Sequence, residues 1–194
     1  MEENKVTFGL SNVHIAKIIE TNGSISYDTP FALPGAVNLT MDKEGAMTIF
    51  HADNIPYYKK ASNNGYSGSL EVAEVIEKFL KDILGQTEDS NGAIFENADD
   101  VVSRFALMCE IDGDKYKRRA VFYDCLVERP SFEHKTIEGE IEVQTVTMDL
   151  TISPHTTDKE IKCILKQTTE NQAVYDAFFT QVYEKNAVPS GSGI

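Results

Sequence analysis

Residue pairs that favour tight turns divide this sequence into short runs of β-branched and aromatic residues. The turn pairs are Asn22-Gly23, Glu44-Gly45, Asn64-Gly65, Asn91-Gly92, Asp112-Gly113 and Glu138-Gly139. Asn-Gly and Asp-Gly suit two-residue hairpin turns because both positions tolerate positive φ. The pattern therefore predicts a mainly antiparallel β protein.

Alternating apolar residues predict a hairpin around Asp112-Gly113. Before the turn, one face would carry Phe105, Leu107, Cys109 and Ile111. After the turn, Val121, Tyr123, Cys125 and Val127 would likewise share a face.

A further strand is predicted within residues 141–152, with a clean division into two faces. The apolar face carries Val146, Met148, Leu150 and Ile152, and the polar face carries Thr145, Thr147, Asp149 and Thr151. Because side chains alternate along a strand, we expect the first set in the core and the second in water.

Helical periodicity replaces strand periodicity in two segments. Residues 74–84 place apolar side chains on one helical face, and Gly85 supplies a stop. A second helix is predicted to open at Thr169 with Gln172 in capping-box spacing and to continue to about Asn186. We expect one domain over residues 1–188 and a flexible Ser/Gly tail over residues 189–194.

Composition excludes several classes of function. Among 194 residues, 18 Lys and Arg face 31 Asp and Glu, and the net charge of −13 opposes tight binding to phosphate backbones. No apolar run approaches the roughly 20 residues of a membrane helix, so we expect no membrane association. No catalytic motif, metal-ligand spacing or cofactor-binding loop is present, and we expect neither an enzyme nor a cofactor.

A segment rich in tyrosine and asparagine is predicted to form a long loop from Asp53 to Asn64. Tyr57 and Tyr58 lie within it and Tyr66 follows it, an aromatic composition with little charge that is typical of protein interfaces. The alternative is that these tyrosines cover the core of their own domain.

Charge is also distributed unevenly along the chain. A basic cluster, Lys115, Lys117, Arg118 and Arg119, follows a tight turn, while residues 86–100 contain five acids and no base. The basic cluster is either a solvated hairpin tip or half of a charge-complementary contact between identical subunits. Alternating Glu138, Glu140 and Glu142 would project from one face if extended.

These residues also carry a resemblance to a known family. The matching pieces run in order along the chain: Phe8-Gly9-Leu10 with Val13-His14, Pro34-Gly35-Ala36-Val37, Ala52-Asp53-Asn54, Asn63-Asn64-Gly65-Tyr66-Ser67-Gly68 with Leu70-Glu71, Asp112-Gly113-Asp114 with Arg118-Arg119, and Arg129-Pro130-Ser131. In these pieces the sequence resembles the major tail proteins, or tail tube proteins, of long non-contractile-tailed bacteriophages.

The resemblance implies an antiparallel β-sandwich or partial barrel flanked by one or two α-helices. It also implies a structural virion protein that polymerises into stacked hexameric rings. The rings would form a tail tube, assembled in the bacterial host cytoplasm, through which double-stranded DNA passes without tight binding. The implied partners are further copies of the chain and the tape-measure, tail-initiator and tail-terminator proteins. Expected interface residues are Asp53, Asn54, Tyr57, Tyr58, Asn63, Asn64, Tyr66, Arg118 and Arg119.

Two assignments stay open at this stage. The polar face Thr145, Thr147, Asp149 and Thr151 would point either into the channel or outward, and an acidic, hydroxyl-bearing wall suits a channel for DNA. The alternative function is a soluble β-sandwich module that recognises a receptor or a carbohydrate, with Tyr57, Tyr58 and Tyr66 stacking on the ligand.

Overall fold

A long, curled antiparallel sheet forms most of the computed structural model, which describes residues 6–136, 139 and 143–185. Its strands are β1 (Leu10–Thr21), β2 (Ser24–Tyr27), β3 (Phe31–Ala32), β4 (Ala36–Glu44), β7 (Gly65–Val72), β10 (Phe105–Ile111), β11 (Arg119–Val127), β12 (Val146–Ile152) and β13 (Lys162–Leu165). The main path is β2-β1-β10-β11-β12-β7-β4, with β13 paired to β11 and β3 to β1. This confirms the predicted mainly β fold.

Two short hairpins and two short helices complete the described residues. The hairpins are β5 (Met47–Ala52) with β6 (Ile55–Ala61), and β8 (Thr87–Glu88) with β9 (Ile94–Phe95). The helices are α1 (Glu77–Asp82) and α2 (Gln172–Asp176), and α2 continues as a 3-10 turn over Ala177–Phe179.

The main core lies inside the curl of the sheet. Strand β4, at one end of the strand path, comes back close to β1 near the other end. The enclosed core includes Ile15, Leu70, Leu107 and Met148, and α1 contributes Phe79. Phe79 meets Phe105 edge to face with ring centres 6.0 Å apart, a favourable arrangement for aromatic rings.

A second core covers part of the outer surface of the curl. Ala106 and Met108 of β10, together with Val121 and Tyr123 of β11, pack against Phe178 beside α2. Strand β10 is therefore buried on both faces. Within residues 6–136, 139 and 143–185, nothing comparable covers the outer surface of β12, β7 and β4, which is polar.

Sequence periodicity located the hairpin of β10 and β11 but was wrong about one face. Val121 and Tyr123 belong to the outer core, whereas Cys125 and Val127 belong to the inner core. The reason is a register shift, because Phe105 lies opposite Cys125 but Leu107 lies opposite Phe122. An extra residue in β11 reverses which face the following side chains occupy.

Both helices are shorter than predicted. The apolar face of α1 is buried as expected, and Gly85 ends the segment with a φ of 79°. The predicted second helix is wrong beyond its first turns, and Thr169 is not its cap. Instead, Thr168 and Asn171 bond reciprocally, side chain to backbone amide, at 2.8 and 3.2 Å. Residues 186–194, including the predicted tail, lie outside the described residues.

Candidate functional site: a projecting arm and a polar sheet face

Strands β5 and β6 form a two-stranded ribbon, here called the arm (Met47–Ala61), that extends from the end of β4 and β7. Glu44 pairs with Gly65 in the sheet, and Met47 pairs with Ala61 in the arm. Between them, a Cβ on Gly45 would lie 2.3 Å from the carbonyl oxygen of Ser62. Only glycine permits this approach, and backbone hydrogen bonds from Ser62 to Ala46 and from Asn64 to Glu44 connect the ribbon to the sheet across the break between the strands.

The predicted loop from Asp53 to Asn64 is therefore wrong, because most of it is strand. Asp53 and Asn54 have φ values of 53° and 62° and form the two-residue tip of the arm. Two successive residues with positive φ match the twist of the flanking strands. Asn63 and Asn64 lie at the base, where Asn64 donates its backbone N–H to the Glu44 carbonyl.

The arm exposes apolar side chains on both of its faces. Phe50 and Tyr58 lie opposite each other on one face and leave 59% and 56% of their surface exposed. Ile49, next to Phe50 in β5, points to the other face, and Tyr57 lies at the register shift of the ribbon and is 72% exposed. Met47, Ile49 and Ile55 are also exposed. An uncovered two-stranded ribbon of this kind has marginal stability in water, and contiguous exposed apolar surface marks an interaction site.

The structure separates Tyr66 from the two arm tyrosines. Its ring meets Phe122 edge to face at 6.2 Å and packs on the inner core, and the Lys162 ammonium lies 4.7 Å from its centre. Tyr66 thus covers the core of its own domain, which was the alternative interpretation of this segment. Tyr66 therefore does not join Tyr57 and Tyr58 as an exposed stacking surface, and recognition of a receptor or a carbohydrate stays a prediction.

The basic cluster makes ion pairs within its own chain. Arg118 Nε lies 2.5 Å from the Asp114 carboxylate, and this hydrogen bond lowers the pKa of Asp114 against the opposing effect of burial. Arg119 Nε lies 3.0 Å from Glu110, and the Arg119 guanidinium stacks on Tyr175 and Phe179. Contact of Arg118 and Arg119 with another subunit stays a prediction.

The uncovered outer surface of β4, β7 and β12 forms an ordered polar face. Strand pairing aligns three rows across it: Asn38, Glu71 and Thr147; Thr40, Ser69 and Asp149; and Asp42, Ser67 and Thr151. None of these nine positions holds Lys or Arg. The opposite faces of the same strands carry Leu39, Leu70 and Leu150, so the predicted division of β12 into core and water faces is confirmed.

Carboxylates on and beside the polar face accept hydrogen bonds from its hydroxyl groups. The Thr145 hydroxyl donates to Glu71 at 2.6 Å, and the Ser67 hydroxyl donates to Glu44 at 2.6 Å. Thr145 lies next to the first row, just before β12 begins. These bonds leave the two hydroxyl groups no hydrogen for an anion above the face.

His155 lies in a buried polar cluster that sequence reasoning did not identify. Its Nδ1 is 2.9 Å from Asp158, while Nε2 is buried without a partner among the described residues. Burial raises the pKa of nearby Asp124, although Arg104 binds its carboxylate at 2.8 Å. The Nε2 atom of His155 does not reach solvent.

Comparisons with known proteins leave the family of the chain open. No protein-family model and no curated protein matches it. Within the described ranges, no group of three or more His, Cys, Asp or Glu side chains is placed to hold a metal ion. No helix in the same part of the chain has the length and apolar character to span a membrane.

Proposed function

We propose that this chain is a structural protein that polymerises into stacked hexameric rings, forming a phage-type tail tube. The single observation that carries the proposal is the arm, whose Phe50, Tyr57 and Tyr58 expose more apolar surface than a lone soluble copy needs. Burying this surface against another copy would stabilise the arm and the assembly together.

The edge of the sheet supports the same proposal. Strand β4 pairs with β7 on one side only among the described residues. An unpaired edge is an aggregation hazard, and closing several subunits into a ring removes it. Since barrels of about 16 to 18 strands already leave an aqueous channel, a ring of several subunits can enclose a duplex.

The polar face suits the wall of such a channel. Its charged residues, Asp42, Glu71 and Asp149, are all acidic. DNA carries one negative charge per roughly 1.7 Å, and a basic wall would hold it, whereas like charge acting within a Debye length of about 8 Å keeps it from binding. In this proposal DNA passes through the tube without tight binding, and Thr145, Thr147, Asp149 and Thr151 face it.

The remaining parts of the proposal follow from the family resemblance. The chain would act in the virion after assembly in the host cytoplasm, and its partners would be the tape-measure, tail-initiator and tail-terminator proteins. It would have no catalytic role, no cofactor and no membrane partner.

Negative-stain electron microscopy of the concentrated, purified protein tests the proposal. We expect rings or tubes with a central channel and six-fold symmetry. The matched variant replaces Tyr57 and Tyr58 with Ser, which should leave the monomer folded by circular dichroism but prevent assembly. A wild-type protein that stays monomeric at every concentration, with or without a tube-initiating complex, would contradict the proposal.

A further inference from the structure

The described residues expose large apolar side chains at two opposite ends of the sheet. Strand β7 begins at Gly65, beside Glu44 and the base of the arm. It ends at Val72, beside Ala36 and Val146. The chain that approaches Val146 therefore lies at the far end of the sheet from the arm.

This far end, here called the loop end, comprises residues 96–101, 129–136 and 143–145. Phe132 is 91% exposed and Val143 is 82% exposed. The Gln144 side chain bonds both the backbone N–H and the carbonyl of Lys135, which closes the loop at its base.

Arg129 joins residues 129–136 of the loop end to residues 96–101. Its guanidinium contacts the Glu96 carboxylate and the carbonyl oxygens of Asn97 and Asp100. The exposed apolar side chains therefore stand on a hydrogen-bonded base.

The two ends also differ in charge. Lys59 and Lys60 of the arm have no carboxylate partner among the residues that the structure describes, and Asp53 is the only acid of the arm. The loop end holds four acids, Glu96, Asp99, Asp100 and Glu133, against two bases, Arg129 and Lys135, which pair with Glu96 and Glu133. Two arms would bring like charges together, as would two loop ends, whereas an arm against a loop end pairs opposite charges.

We propose that the arm of one copy docks on the loop end of a second copy, so that copies associate head to tail. This inference rests on the proposed function and names the surfaces through which copies meet. Phe50 and Tyr58 would pack against Phe132 and Val143, with Lys59 and Lys60 near the acidic segment. A contact between two different surfaces is heterologous and propagates, as a ring or a filament requires.

Two complementary variants test the pairing of these surfaces. The arm variant carries Phe50→Thr and Tyr58→Thr, which keeps β-propensity while removing both rings. The loop variant carries Phe132→Glu, at a position too exposed to affect folding. The matched controls are Thr48→Ser in the arm and Ser131→Glu in the loop, and urea unfolding checks the fold of every variant.

Each variant is labelled with its own fluorophore. Fluorescence cross-correlation then measures association between copies of the same variant and between copies of different variants. Each variant alone should associate about 30-fold more weakly than wild type, since each has lost an aromatic anchor. A mixture of the two should recover wild-type affinity between unlike copies, because one supplies an intact arm and the other an intact loop end. Both controls should behave as wild type.

The other outcomes separate this inference from the proposed function. If wild type assembles and neither variant associates more weakly, head-to-tail docking is wrong but the proposed assembly stands. The same holds if the loop variant still pairs with itself through its arm. If wild type does not associate at all, both proposals fail.

A cross-link gives a second readout should the arm variant misfold. In a Cys163→Ser background, Tyr58→Cys and Phe132→Cys in one chain should form disulfide-linked multimers on mild oxidation of assembled protein. Absence of these multimers in assembled protein would also overturn the pairing.

Discussion

The Arg119 guanidinium lies 3.8 Å from the centre of the Tyr175 ring, so a strand of the sheet holds the second helix through a cation–π contact. The same side chain is mostly buried, pairs with Glu110 and donates to the carbonyl of Tyr175. Planar stacking and a fork of donors are properties that lysine lacks.

We therefore predict that Arg119→Lys lowers the free energy of unfolding by about 1–2 kcal/mol, although the charge is kept. Urea unfolding measures the change. The neighbouring Arg118→Lys is the control for loss of the donor fork, because Arg118 binds Asp114 through two nitrogens but no ring stacks on it in the described residues, and it should cost less. Equal costs would contradict a specific role for stacking.

A second prediction concerns Gly68, where β4 and β7 approach closely. A Cβ at this position would lie 1.9 Å from the carbonyl oxygen of Thr40. Gly68→Ala should therefore destabilise the protein by about 2–3 kcal/mol, since a rigid backbone atom cannot move aside cheaply. Gly23→Ala is the control, because Gly23 has a φ of 76° but a Cβ there would have no atom within 4 Å. Its cost should therefore be the backbone strain alone, about 1 kcal/mol.

The ion pair of Asp114 predicts how stability depends on pH. Arg118 holds the pKa of Asp114 below its ordinary value of 3.8 in the folded chain. A carboxyl with a lowered pKa stabilises the fold above its ordinary pKa and loses that contribution as pH falls through the folded value. Asp114→Asn should thus be less stable than wild type at pH 7, with a difference that shrinks below about pH 4.

Urea midpoints of both proteins between pH 3 and pH 7 check this expectation. A difference that stays constant over the range would show that the ionised carboxylate contributes nothing.

The buried thiols give a prediction about chemical reactivity. Burial raises the pKa of Cys109 to about 12 and also raises the pKa of Cys125. Because the thiolate is the reactive form, neither should react with Ellman's reagent in the native protein at pH 8, whereas partly exposed Cys163 should react slowly. Full denaturation should make all three thiols reactive. More than one reactive thiol in the native protein would contradict the burial of Cys109 and Cys125.

The orientation of the polar face in an assembled tube can be tested with a single cysteine. In a Cys163→Ser background, Thr147→Cys should react with a small maleimide in tubes and be protected from one too bulky to enter the channel. Equal labelling by both reagents would place β12 on the outer surface.

Asp149→Lys tests the same face by its effect on DNA. The variant should still assemble, because the side chain is exposed and needs no partner, but every ring would gain a set of phosphate-binding cations. DNA ejection should therefore slow, with Asp149→Asn as the control. Normal ejection kinetics from tails that contain the lysine would contradict a channel-facing β12.

Sequence patterns correctly predicted a strand that buries one face against the core. They failed for strands that do not have a single core face. Val146 to Ile152 alternates because one side of β12 meets the core, and its two faces were predicted correctly. The arm has no core face, so β6 shows no alternating burial, and its residues were predicted as part of a loop. Asp53-Asn54, a pair that tolerates positive φ, was the available signal for its tip.

Long-range contacts explain the other differences. The face of Val121 and Tyr123 depends on a register shift against β10, which no local pattern encodes. The intramolecular partners of Arg119 include Tyr175, 56 residues away. Sequence reasoning could identify the basic cluster but could not tell which carboxylates and rings would surround it.

The pairing of β1 with β10 has a consequence for synthesis on the ribosome. Leu10 lies opposite Ile111, so the first long strand is made 101 residues before its partner. At about 5–20 residues per second, β1 waits roughly 5–20 s before β10 leaves the ribosome. During that interval Val13 and Ile15, buried in the finished protein, have β3 beside them on one side but lack β10 on the other. The arm is complete well before then, so nascent chains on one messenger carry exposed apolar ribbons and uncovered strands side by side.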